Sequence, residues 1–101
     1  MSKTNIRYSE ESLADLTNIF DYIASDSSTR ASSYIDKLEN AISQLEEYPN
    51  IGVSCKKKLV RHDCRVLIVD SFLVFYKHFE TIREVIIYRI FRDKQDYLSL
   101  Y

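Results

Sequence analysis

The chain has 101 residues, 46% of them hydrophobic and 29% charged, with one glycine, one proline and a net charge of −1. This composition predicts one compact domain over residues 1–101, and the lone Gly52 excludes the glycine-rich loops that bind nucleotide phosphates. The charge is asymmetric, because residues 1–50 carry four basic and nine acidic side chains and residues 51–101 carry ten and six. The C-terminal half is therefore the half expected to meet an anionic partner.

Two amphipathic helices are predicted in the N-terminal half. Ser9 and the two glutamates after it are typical of an N-cap with an acidic first turn, and apolar residues then recur at helical spacing up to Ile23. The polar run 25–29 ends this helix and caps a second one, whose apolar stripe extends to Tyr48, just before Pro49. So short a connection predicts an antiparallel helical hairpin.

After Gly52 the sequence changes to a composition typical of strands. Three segments are rich in β-branched and aromatic residues: Arg65–Val69, Phe72–Phe79 and Glu84–Phe91. The short connections 70–71 and 80–83 predict an antiparallel meander. Further short strands are expected at Asn5–Tyr8, on an edge, and at 58–61. The helical hairpin and these strands together predict an α+β fold.

Both faces of this sheet are apolar at their centre. If a two-residue turn joins the first two long strands, Leu67 and Val74 share one face, while Val66 and Phe75 share the other. The helical hairpin can cover only one face. The second face is therefore expected to be covered either by a partner or by the C-terminal tail, residues 97–101.

The thiols and imidazoles of the chain are few: Cys55, His62, Cys64 and His78. Their spacing fits none of the paired zinc-ligand patterns, so neither a metal site nor a cofactor is predicted. There is no CxxC motif and no secretory segment, and the longest apolar run, 72–76, is too short for a membrane helix. These observations predict free thiols and a cytoplasmic location.

A basic series in the C-terminal half is a candidate for binding a target or phosphate groups: Arg61, Arg65, Arg89, Arg92 and Lys94. RNA cleavage by 2′-hydroxyl attack needs cations at the reacting phosphorus together with proton carriers. The series offers the cations, and three residues offer the proton carriers: His62, Tyr88 and Tyr97. The alternative is that the cations form a solvated surface and charged sheet edges that oppose aggregation.

In their order and spacing, five segments together resemble the RelE/ParE superfamily of bacterial toxin–antitoxin toxins: 9–16, 21–24, 45–49, 65–76 and 85–97. The resemblance covers nearly the whole chain. It implies a small α+β toxin with two helices backing a twisted antiparallel sheet, which inhibits growth or stabilises plasmids and is neutralised by a cognate antitoxin. A homodimer and a hetero-oligomer with the antitoxin both remain open.

Members of this superfamily are either ribosome-dependent mRNA endonucleases or ParE-like proteins that poison DNA gyrase. The nucleases typically carry basic residues where Arg65, Leu67 and Leu73 stand here, and basic and aromatic residues near the C-terminus. Of a metal-independent nuclease site, Arg65, Arg92 and Tyr97 remain as catalytic candidates. The resemblance therefore favours a ParE-like toxin acting on DNA gyrase, with an endoribonuclease acting on mRNA at the ribosome as the alternative.

Overall fold

The computed structural model describes residues 3–54 and 64–92. The elements follow in the order β1 (Asn5–Tyr8), α1 (Glu10–Ala24), α2 (Ser28–Ser43), a 3₁₀ turn (Gln44–Glu46), β2 (Val53–Ser54), β3 (Arg65–Val69), β4 (Phe72–Phe79) and β5 (Glu84–Phe91). The strands form one sheet in the order β1-β5-β4-β3-β2. The predicted helical hairpin, the three long strands and the α+β class are confirmed.

The two short edge strands differ from the sequence prediction. β1 lies on an edge as expected, but it runs parallel to β5, so the sheet is mixed and only its other pairs are antiparallel. β2 was not expected; Val53 and Ser54 pair with Val66 and Arg65 at the opposite edge. Two residues are too few to show strand alternation in a sequence. The strand predicted at 58–61 lies outside the described residues.

Serine side chains begin both helices. The Ser9 hydroxyl accepts a hydrogen bond from the Ser12 N–H at 3.0 Å, and the Ser27 hydroxyl accepts one from the Arg30 N–H at 3.2 Å. The Ser9 hydroxyl also donates to the Tyr88 carbonyl at 2.8 Å, which fixes the start of α1 to β5. Both caps are where the sequence predicts them. The second helix ends earlier than predicted, at Ser43.

The main core lies between the helical hairpin and one face of the sheet. Its most buried members are at most 1% exposed: Leu38, Ile42, Leu45, Val74, Tyr76, Val85 and Ile87. Burying an aliphatic side chain of this size contributes about 1.5–3 kcal/mol. Val69 pairs with Phe72 across the predicted two-residue turn, where Asp70 adopts a φ of 54°. This register places Leu67 and Val74 on the helix-facing side, as predicted.

The opposite face of the sheet is buried at its centre. Leu73, Phe75 and Phe91 are 5–6% exposed and form a second cluster, in which the Phe75 and Phe91 rings meet edge to face at 5.5 Å. These three side chains are buried within the chain, so at these positions the face is not open to solvent. Ile68 on the same face is 59% exposed. The tail at 97–101 lies outside the described residues.

Cys64 is disulfide-bonded, and the prediction of a free thiol is wrong at this residue. The prediction was based on the absence of a CxxC motif and of a secretory segment. These two sequence features do not indicate which thiols lie close together in the folded chain. Cys55 lies outside the described residues. Within residues 3–54 and 64–92, no helix is long and apolar enough to cross a membrane.

Candidate functional site

A cleft of about 660 Å³ opens at the end of the sheet where β3 begins and β4 ends. Among the described residues, its polar lining comes from the loop before β2, the two strands and the β4–β5 turn: Asn50, Arg65, Lys77, His78, Glu80 and Thr81. Three of these side chains are basic and one is a carboxylate. The cleft therefore combines cations, an imidazole and an amide within one concave surface.

Arg65 is held by the loop that forms one wall of the cleft. Its Nη1 atom donates to the carbonyl oxygens of Asn50 at 3.2 Å and Gly52 at 2.8 Å. These bonds use the two hydrogens of Nη1, so the Nε hydrogen and the two Nη2 hydrogens have no hydrogen-bond partner among the described residues. The loop thus fixes the orientation of the guanidinium through one of its two terminal nitrogens.

His78 is oriented by the same loop. Its Nδ1 atom lies 2.9 Å from the Asn50 side-chain oxygen. An amide oxygen only accepts hydrogen bonds, so the proton of a neutral His78 ring sits on Nδ1. The Nε2 atom then carries the lone pair and can accept a hydrogen bond.

The loop itself is anchored on the buried Tyr76. The Gly52 N–H donates to the Tyr76 hydroxyl at 2.8 Å, and the Tyr76 side chain is fully buried. Burial raises the pKa of the Tyr76 hydroxyl, and the Gly52 N–H and the positive charge of Arg65 oppose that rise. A Cβ atom on Gly52 would lie 2.7 Å from this hydroxyl, so the close approach requires glycine. Residues 50–52 are therefore fixed by contacts with Tyr76, Arg65 and His78.

Arg89 does not line the cleft. Its Nε and Nη2 atoms lie 2.8 and 3.1 Å from the two carboxylate oxygens of Asp15 on α1. The same carboxylate accepts a hydrogen bond from the Ile90 N–H at 2.8 Å. β1 pairs with β5 only as far as Ile87, so Asp15 supplies a partner to the edge of β5 beyond the end of β1. Arg89 takes part in joining α1 to the sheet.

Arg92 also lies against α1. Its guanidinium carbon is 3.9 Å from the centre of the Tyr22 ring, a cation–π contact. The structure therefore separates the predicted cations, with Arg65 beside β2 and with Arg89 and Arg92 against α1. Tyr88 lies at the irregularity in the β4–β5 pairing and is 38% exposed. The remaining candidates lie outside the described residues: Arg61, His62, Lys94 and Tyr97.

Leu67 and Leu73, the positions at which the resemblance implies cations in the nucleases, are buried. Leu67 is 9% exposed and packs in the main core, and Leu73 is 6% exposed in the cluster on the opposite face. The described residues contain no cluster of three or more side chains able to bind a metal ion. Among the described residues, the cleft lining supplies two cations, one carboxylate, one amide and one imidazole.

Sequence reasoning missed Asn50 as a member of the cleft, counted Lys77 among the basic residues of the C-terminal half, and considered the chemistry of His78 only as that of a metal or thiol partner. For His78 a signal existed, because strand alternation across the two-residue turn places it on the same face as Arg65. For Asn50 no local pattern was available, because a loop side chain reaches His78 across 28 positions of sequence.

Comparison with known proteins gives a family and a fold. Residues 6–97 match the family model of the ParE toxin of the type II toxin–antitoxin system parDE. A solved structure of a chromosomal ParDE toxin–antitoxin system from P. aeruginosa is similar with a TM-score of 0.73 and 20% identity, covering 90% of this chain and 97% of that one. The toxin–antitoxin complex RelBE2 from Mycobacterium tuberculosis is similar with a TM-score of 0.64 and 15% identity, covering 89% and 98%. No curated protein sequence matches.

Proposed function

The chain belongs to the ParE toxin family of type II toxin–antitoxin systems, and from this premise we propose that it acts as a ParE-like toxin that binds and poisons DNA gyrase. The observation that carries the proposal is the replacement of nuclease cations by core residues. Leu67 and Leu73 are buried where superfamily nucleases carry basic side chains, so two contributions to stabilising a reacting phosphate are missing. A binding toxin needs no such cations.

The test is a supercoiling assay with purified gyrase, relaxed plasmid and the purified chain. The expected result is a dose-dependent loss of supercoiling, accompanied by accumulation of gyrase-cleaved DNA. A reaction without the chain is the negative control. Unchanged supercoiling together with mRNA cleavage in a translating extract would contradict the proposal.

The alternative function is a metal-independent mRNA endoribonuclease acting at the ribosome. The observation that favours it is the presence of Arg65 and His78 in one cleft, where a cation and an imidazole could serve phosphate binding and proton transfer. Arg92 and Tyr97 are the other catalytic candidates. In a translating extract, Arg65→Lys and His78→Gln would each reduce cleavage at least tenfold if this alternative holds, while Arg30→Gln on the exposed face of α2 would not.

A cognate antitoxin is the proposed partner, and the cytoplasm, where gyrase and ribosomes lie, is the proposed location. The helical hairpin offers exposed apolar side chains to such a partner: Leu13 is 51% and Tyr22 is 62% exposed. The measurement is co-purification of the tagged chain with the product of an adjacent reading frame, followed by the mass of the complex. Recovery of the chain alone from cells that express both frames would count against an antitoxin.

A further inference from the structure

We propose that Cys64 forms a reversible disulfide with Cys55, and that this bond is a redox switch that controls how firmly the edge strand β2 is held against β3. The proposal goes beyond the toxin function, because it adds regulation by an oxidant at a residue without a role in target binding. It rests on the proposed function in one respect, the cytoplasmic location. Disulfides of cytoplasmic proteins are usually transient and either catalytic or redox-sensing.

The register of β2 against β3 supports Cys55 as the partner of Cys64. Cys64 is disulfide-bonded, and the sequence contains one other cysteine, Cys55. In the antiparallel pair of β2 and β3, Ser54 at the end of β2 lies opposite Arg65 at the start of β3. The next step of this register pairs position 55 with position 64. Directly opposed residues of antiparallel strands have Cα atoms about 4.5–5.5 Å apart, a separation that a disulfide spans.

The disulfide lies beside the contacts that orient Arg65. β2 is an edge strand, and its described pairs with β3 are two. The loop at 50–52, directly before β2, accepts two hydrogen bonds from Arg65 and also orients the His78 ring. A cross-link one register step beyond Ser54 opposes local opening of this edge. Reduction is therefore expected to loosen β2 and, through it, the loop that orients Arg65 and His78.

Cys64 is accessible to a thiol reductant. It is half-buried and lines the cleft at the end of the sheet. It also packs against the apolar cluster of Leu73, Phe75 and Phe91. Thiol–disulfide exchange begins with attack of a thiolate on a disulfide sulfur, so its rate depends on access to that sulfur. The cleft supplies an approach to Cys64 that a fully buried disulfide would lack.

The electrons balance with a peroxide as the oxidant and a dithiol as the reductant. Hydrogen peroxide oxidises one thiolate to a sulfenic acid, and the second thiol then displaces the sulfenic oxygen as water. In sum, two thiols and one peroxide give one disulfide and two molecules of water. A protein dithiol, or two molecules of glutathione, returns two electrons through a mixed disulfide and is itself released as a disulfide.

The first experiment compares the purified chain after oxidation with hydrogen peroxide and after reduction with dithiothreitol. In urea unfolding, reduction should raise the unfolding equilibrium constant about a hundredfold, because a cross-link from 55 to 64 closes a loop of about ten residues. In NMR spectra the His78 ring signals should shift on reduction, while the side-chain N–H signal of Arg89, held by Asp15, should not. Cys64→Ser is the matched control, and both treatments should leave it as stable as the reduced chain. Cys55→Ser removes the same bond and keeps the test decisive if Cys64→Ser fails to fold.

The second experiment traps the thiols of the chain in cells with acid and a maleimide that adds mass at each thiol. Two labelled thiols are expected during growth and none after a pulse of hydrogen peroxide, with both recovered once the peroxide is consumed. The proposal would be overturned by a disulfide that persists during growth, by thiols still labelled after the pulse, by an oxidised dimer on a non-reducing gel, or by equal stability of the oxidised and reduced chains. None of these measurements uses gyrase, so a failure of the switch is distinguishable from a failure of the toxin function.

Discussion

The carboxylate of Asp15 is expected to contribute strongly to the stability of this fold, because it joins α1 to the edge of β5. It is 12% exposed and accepts three hydrogen bonds, two from Arg89 and one from the backbone N–H of Ile90. In Asp15→Ala the Ile90 N–H loses its partner at the edge of β5, which costs about 1–3 kcal/mol. The lost ion pair adds about 1 kcal/mol or less, because the Arg89 side chain is 38% exposed and regains water.

The expected loss in Asp15→Ala is therefore about 1–4 kcal/mol of unfolding free energy, out of the roughly 5–15 kcal/mol typical of a domain. Two matched variants separate the contributions. Arg89→Gln leaves the bond from the Ile90 N–H intact and should cost about 1 kcal/mol or less. Asp15→Asn retains one acceptor oxygen without the charge, so its effect should lie between the other two.

The measurement is urea unfolding followed by far-ultraviolet circular dichroism, with the slope m compared between variants to verify that the unfolded states are alike. The expected order of destabilisation is Asp15→Ala, then Asp15→Asn, then Arg89→Gln. A loss in Arg89→Gln equal to that in Asp15→Ala would refute the reasoning, because the ion pair rather than the strand edge would then dominate. A loss below about 0.5 kcal/mol in Asp15→Ala, within the usual range of surface substitutions, would refute it as well.

Three further predictions concern the anchored loop and the alkaline range. Tyr76→Phe removes the acceptor of the buried Gly52 N–H and should cost about 1–3 kcal/mol in urea unfolding; an unchanged midpoint would contradict this. Gly52→Ala should cost more than Tyr76→Phe, and adding Tyr76→Phe should not rescue it, because the new Cβ atom would still lie 2.8 Å from Cε1 of residue 76 and 2.9 Å from the Val66 carbonyl oxygen. Burial raises the pKa of Tyr76, and the hydrogen bond to Asp70 raises that of Lys37. Both groups hold their protons more tightly when folded, so their stabilising effect is complete below about pH 10 and is lost as the pH rises through the folded pKa values. Tyrosinate absorbance should show a late-titrating component that is reduced in Tyr76→Phe, and an identical component in that variant would contradict the assignment.

The long strands were predictable because local signals coincide there. Arg65–Val69 and Phe72–Phe79 are β-rich runs separated by two residues, and a connection of that length fixes the register as well as the bounds. The direction of Asn5–Tyr8 was not predictable. The direction in which Asn5–Tyr8 pairs with Glu84–Phe91 depends on how the chain between the two strands folds. The four residues of Asn5–Tyr8 carry no information about that fold.

The candidate site was only half predictable for a related reason. Strand alternation places Arg65 and His78 on one face, so their proximity follows from the register. The loop that turns them into a site does not, because its position depends on a hydrogen bond from Gly52 to a tyrosine 24 residues away. The disulfide at Cys64 likewise depends on a contact that no spacing rule indicates.

The internal contacts of the arginines reduce the positive charge that the basic C-terminal half presents to a target. Arg89 is paired with Asp15, and Arg92 lies on the Tyr22 ring, so both contribute charge to the junction of α1 with the sheet. Arg65 donates from one terminal nitrogen to the carbonyl oxygens of the loop at 50–52 and lines the cleft, as Lys77 does. Substitution of Arg89 should therefore lower stability. The number of cations in the sequence overstates the positive charge available to a target, because some of these cations already contact a carboxylate or an aromatic ring within the fold.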